Sequence, residues 1–85
     1  MKYMLIEVEE RCIAVPKYFN THDAAHDEMC RRIAEIYGIT LEEAKRQYLQ
    51  CDLSGDIVVC YDAAWGERHA KYCDWKIFAI ERDAL

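Results

Sequence analysis

From Lys2 to Glu9 the side chains alternate, with Met4, Ile6 and Val8 on one side and Tyr3, Leu5 and Glu7 on the other, the period of two of a β-strand. Glu9-Glu10-Arg11 is a short polar break, after which Cys12 to Phe19 resumes extended character and closes a hairpin. Pro16 has no N–H to give to a ladder, so this second strand should lie at a sheet edge or end near that point. The period then changes. Ala25, Met29, Cys30, Ile33, Ile36 and Tyr37 recur at three- and four-residue steps, while Asp27, Glu28, Arg31 and Glu35 face away, which predicts an amphipathic helix. Asn20-Thr21 offers N-cap side chains, Asp23 puts negative charge in the first turn, and Gly38 supplies the C-terminal stop. Thr40-Leu41-Glu42-Glu43 opens a second helix with an apolar stripe of Leu41, Ala44, Tyr48 and Cys51, ending near Asp52-Leu53-Ser54-Gly55. The β-branched and apolar runs from Asp56 to Asp62 and from Trp75 to Ile80 predict a second hairpin, joined by a polar connection around Gly66. The expected fold is a single α+β domain over residues 1–85, a four-stranded antiparallel sheet with two helices on one face in the order ββααββ.

Composition narrows this picture without changing it. A chain of 85 residues has room for one core, and 53% hydrophobic with 32% charged residues places it among globular rather than disordered sequences. No apolar run approaches the roughly 20 residues of a membrane helix. The first residues, Met1-Lys2-Tyr3-Met4-Leu5-Ile6-Glu7, lack the features of a secretory signal, so a cytoplasmic location is expected. Five cysteines, at 12, 30, 51, 60 and 73, are odd in number and show no C-x-x-C spacing, which argues against a disulfide framework or a zinc ribbon. The net charge of −5 repels phosphate backbones, so direct nucleic-acid binding is disfavoured.

Three sets of residues could carry chemistry. His22, His26 and Cys30, spaced four apart, would line one side of the first helix and offer three zinc ligands. They border the Met29–Ile33 stripe, so packing is the competing explanation, and no metal or other cofactor is expected. Cys73 and His69 could be drawn as a nucleophile and base, but no motif marks an orienting carboxylate or oxyanion element, so no enzymatic activity is expected. Gly55 and Gly66 stand outside any phosphate-cradling pattern.

Several strands are apolar on both faces. Tyr3 and Leu5 oppose Met4 and Ile6, and Trp75 and Ile77 oppose Phe78 and Ile80. One face should pack on the helices, leaving the other to a homodimer mate or a protein partner, with Tyr3, Leu5, Tyr61 and Trp75 as the expected interface residues. The alternative is a sheet whose outer aromatics, Tyr3, Tyr18 and Tyr61, sit half exposed with their hydroxyls in water.

At Ala64-Trp65 and Cys73-Asp74-Trp75-Lys76-Ile77-Phe78, together with Thr21 to Met29, the chain resembles small proteins carried by phages and other mobile elements of Gram-positive bacteria. That group has no assigned catalytic residues. The resemblance implies a source more than an activity; small acidic proteins of such elements often act by occluding a host machine, and anti-CRISPR proteins are the best known of these inhibitors. Nucleic-acid-guided effectors hold their substrates in positive channels, and an array of carboxylates can occupy one as a phosphate mimic. Asp23, Asp27, Glu28 and Glu35 on the first helix, with Glu42 and Glu43 on the second, form the face expected to do so; the competing explanation is a solvated helix surface.

Overall fold

A computed structural model describes residues 2–50 and 52–80. Six strands and two helices follow one another as β1 (Lys2–Glu9), β2 (Cys12–Ile13), β3 (Lys17–Phe19), α1 (His22–Tyr37), α2 (Leu41–Gln50), β4 (Ile57–Val59), β5 (Ala63–Arg68) and β6 (Lys71–Ile80). All pairings are antiparallel, in the spatial order β2-β1-β6-β5-β4, with β3 also on β1. The α+β class is as expected, whereas the four-stranded sheet and the order ββααββ are corrected on two counts.

The first correction is at Pro16. Val8 pairs with Ile13 and Leu5 with Lys17, so three steps along β1 oppose four along the edge chain. One extra residue is absorbed between Ala14 and Pro16, and this bulge divides the expected second strand into β2 and β3. Ala14 still donates to the Glu7 carbonyl at 2.9 Å, and Pro16 falls at the sheet edge, where a missing N–H costs nothing.

The second is at Gly66, which lies inside β5 rather than in a connection. It pairs with Cys73 and Ile57 on the inner face, and a Cβ built there would stand 2.7 Å from the Tyr37 ring. Glycine is present because an aromatic ring rests on its backbone. The turn itself is His69-Ala70, with φ of 56° and 61°, matching Glu10-Arg11 at 49° and 73° in the first hairpin. With two positive φ values between directly paired residues, each has the backbone of a two-residue type I′ loop.

The helices behave as their ends predict. Thr21 caps α1 by accepting from the Ala24 N–H at 3.1 Å, and Gly38 ends it in the left-handed conformation at φ 69°. Thr40 accepts from the Glu43 N–H at 3.0 Å at the start of α2. Ala25, Met29, Cys30, Ile33 and Tyr37 of α1 are buried against Leu5, Ala64, Cys73, Trp75 and Ile77 of the sheet. The α2 stripe is narrower than expected. Ala44 is buried and Tyr48 joins the core margin, but Leu41 is exposed, because α2 sits beside α1 and the β4 edge rather than over the centre of the sheet. Cys51 lies outside the described residues. No described helix is long and apolar enough to cross a membrane.

Candidate interaction surface

The sheet has two faces of comparable hydrophobicity, and the helices pack on only one of them. Leu5, Glu7, Cys73, Trp75, Ile77, Ala64 and Gly66 alternate toward the helices and are all buried. Met4, Ile6 and Val8 of β1, with their outward neighbours, form the other face. Across the strands, Tyr18–Met4–Phe78 make one row, Ile6–Lys76–Ala63 the next, and Ile13–Val8–Asp74–Trp65–Val58 the third. Ile13 is 71% exposed, Tyr18 57%, Tyr72 46%, Phe78 44% and Trp65 36%, with Met4, Ile6 and Val8 half-buried between them and Val58 buried at the β4 margin, so this surface is apolar and open along β6 and the β2–β3 edge.

This reverses the expected interface. Leu5 and Trp75 are core residues at 3% and 2% exposure, and Tyr3 packs against the core from the same side. Tyr61 is exposed, yet its ring stacks on His22 of α1 at 3.8 Å and 9°, on the helix side of the sheet. The reason for the inversion is Glu7. A carboxylate in a strand suggests an outward position, but Arg32 of α1 meets it with two hydrogen bonds of 2.9 and 2.8 Å, and the Trp75 indole N–H donates to it at 2.8 Å. Burial pushes the Glu7 carboxyl up, but the Arg32 and Trp75 hydrogen bonds outweigh it and hold the group below the ordinary carboxylate value. With its lone pairs satisfied, Glu7 takes a core position and carries Tyr3, Leu5 and Trp75 inward with it.

The His22, His26 and Cys30 spacing makes a packed cluster rather than a metal site. His26 donates from Nε2 to the Cys60 carbonyl at 3.0 Å, which leaves Nδ1 as the acceptor for the Cys30 thiol at 3.7 Å. Burial lowers the His26 pKa and pushes the Cys30 thiol up to about 11, so the pair is neutral imidazole and neutral thiol. His22 is held between the Tyr61 ring and the edge of Tyr3, its two nitrogens shielded from solvent. Among the described residues no group of three His, Cys, Asp or Glu side chains is arranged to hold a metal ion. The second pair also fails as a nucleophile and base: His69 is exposed in the turn, and Cys73 is fully buried with its thiol pKa raised by burial.

The acidic face is laced with cations. Glu28 is paired with Arg31 at 2.6 Å and with Lys17, and Glu35 with Arg31 and Arg32 at 2.9 and 3.0 Å. Asp27 meets Lys45 at 3.1 Å, and Glu42 lies 3.9 Å from Arg46. The Arg31 hydrogen bonds hold Glu28 at about 2. Asp23 and Glu43 occupy the first turns of α1 and α2, where helix N-termini favour negative charge. A shallow groove along α2, lined by Leu41, Glu42, Lys45, Arg46 and Leu49, brings together no converging polar groups beyond that Glu42–Arg46 pair.

The outer face was hidden in the sequence because strand periodicity separates two faces without saying which one the helices cover. The chain matches no known protein family, no curated protein and no solved structure.

Proposed function

We propose that the chain is a non-enzymatic protein-binding module that presents the outer face of its sheet to a protein partner. The observation that carries this reading is the exposure of Ile13, Tyr18, Tyr72, Phe78 and Trp65 on one continuous surface. Contiguous apolar surface of this kind, rich in aromatic side chains, is the usual anchor material of protein interfaces. The thiols of Cys30 and Cys73 are buried and protonated, and the Glu7 carboxylate is fully engaged, which favours binding over catalysis.

An acidic decoy for a nucleic-acid-guided complex would need carboxylates free of local cations. On α1 and α2 Asp27, Glu28, Glu35 and Glu42 each have a Lys or Arg neighbour, so the sheet face draws the stronger support. Photo-crosslinking in cells expressing the chain tests the reading, with benzoylphenylalanine placed at Phe78, at Trp65 and, as a control, at Glu42. Discrete protein adducts from the two sheet positions and none from Glu42 are expected. Adducts confined to Glu42, or none from either sheet position, would overturn it.

A further inference from the structure

The outer face carries a charge pattern that chooses its own partner. Resting on the binding role of this face, we propose that its occupant is a second copy of the chain, packed sheet to sheet about a two-fold axis. The axis lies between the two sheets and runs across the strands over the row Glu7–Trp75–Ala64.

β6 is the central strand of the bare face. Its outward residues read Tyr72, Asp74, Lys76, Phe78: aromatic, anion, cation, aromatic. A two-fold axis crossing the strand over Trp75 turns this series end for end. Asp74 then faces Lys76 of the other copy, and Tyr72 faces Phe78, so both charges meet opposite charge and both aromatics meet apolar surface. On the flanking strands the same operation sets Ile6 against Val8, and the small Ala63 against the large Trp65, with matching register on both sides of β6. A two-fold axis running along the strands would instead put Asp74 on Asp74 and Lys76 on Lys76. Like charges opposed in a desolvated contact exclude that arrangement.

A mate of different sequence would have to bring a cation and an anion at this spacing between two apolar patches. The chain already carries that complement, and a self-complementary patch is what an isologous dimer requires. The strands together hold 32 residues, which at ~3.3 Å by ~4.8 Å each give a face of roughly 500 Å² per copy, or about 1,000 Å² in total, the smallest area expected of a specific interface. In the isolated chain Asp74 accepts from the Tyr72 hydroxyl at 3.3 Å and Lys76 lies 3.6 Å from Asp62. Both contacts are at the long end of their class and exposed, so exchanging them for Asp74–Lys76 pairs across the axis costs little.

Sedimentation velocity on the purified chain over a wide range of concentration is the test, with circular dichroism confirming that each variant is folded. The mass should rise from 10.0 kDa to twice that value. Asp74→Lys and Lys76→Asp should each weaken association by tenfold or more, and the double reversal D74K/K76D should restore it, because the swapped pair again faces its opposite. A chain that is monomeric throughout overturns the proposal, as does a dimer indifferent to the single reversals or not rescued by the double one. If the chain is monomeric while Phe78 and Trp65 crosslink to a different protein, the second copy is wrong and the binding face stands. If those positions crosslink to nothing, both fail.

Discussion

The inner and outer faces of this sheet are built from the same kinds of side chain and differ in what opposes them. The inner face contains a carboxylate, Glu7, and is buried; the outer face holds Met4, Ile6 and Val8 from the same strand, half-buried among their neighbours with no helix over them. Hydrophobicity alone would have sorted them the other way. A charged residue enters a core when a neighbouring element supplies its counter-charge and hydrogen bonds, as Arg32 of α1 and the Trp75 indole do here. Apolar residues stay outside when no element is left to cover them.

The largest effect that would break this comparison is at Glu7. Replacing it by Ala leaves the Arg32 guanidinium with Glu35 alone and the Trp75 N–H without its acceptor and should cost about 2–4 kcal/mol in urea denaturation. Ile6→Ala, one residue away on the other face, should cost about 1 kcal/mol or less for the dilute chain. Equal losses would mean that the faces are not distinct. Next comes Gly66→Ala, which drives a methyl group into the Tyr37 ring and should destabilise by about 1–3 kcal/mol. Trp65→Ala, beside it but facing outward and 36% exposed, should cost the dilute chain less, about 1 kcal/mol.

The smallest effect is in pH. His26 has its pKa lowered in the folded chain from an ordinary value of 6.5, so between the two values the unfolded chain binds more protons. Stability should therefore be full above pH 6.5 and decline as the pH falls below it. Glu7 and Glu28, lowered from 4.5, contribute stability that is full above pH 4.5 and is lost only on further acidification. His26→Gln should flatten the decline between pH 6.5 and 4.5 and keep the acid limb. Denaturant midpoints measured across that range check it, and an unflattened slope would show that His26 does not titrate on unfolding.

Much of the fold was legible because local physics set it. The helix periods, the Thr21 cap and the Gly38 stop required no knowledge of distant residues, and the observed α1 agrees with them. The strand count misled for a specific reason. Glycine reads as a turn residue, and at Gly66 it serves a ring approaching from α1, while the turn is built from His69 and Ala70, neither of which is a turn former of the first rank. The candidate surface was legible only to the extent that both strand faces looked apolar. Choosing between them depended on Arg32 reaching a residue 25 positions earlier, a pairing that no local pattern encodes.

The bond from the Trp75 indole to Glu7 joins residues 68 positions apart, because β1 and β6 are neighbours at the centre of the sheet. Made from its N-terminus, the chain exposes β1 to the ribosome's surroundings long before β6 exists, with only the bulged edge β2 and β3 to shelter one side. Of the described strands β6 is made last, so β1 and β5 must wait for the strand that joins them. Holding back β6 on a stalled ribosome would leave a helical hairpin beside two unjoined pieces of sheet, and chaperone dependence during synthesis would be concentrated in that interval.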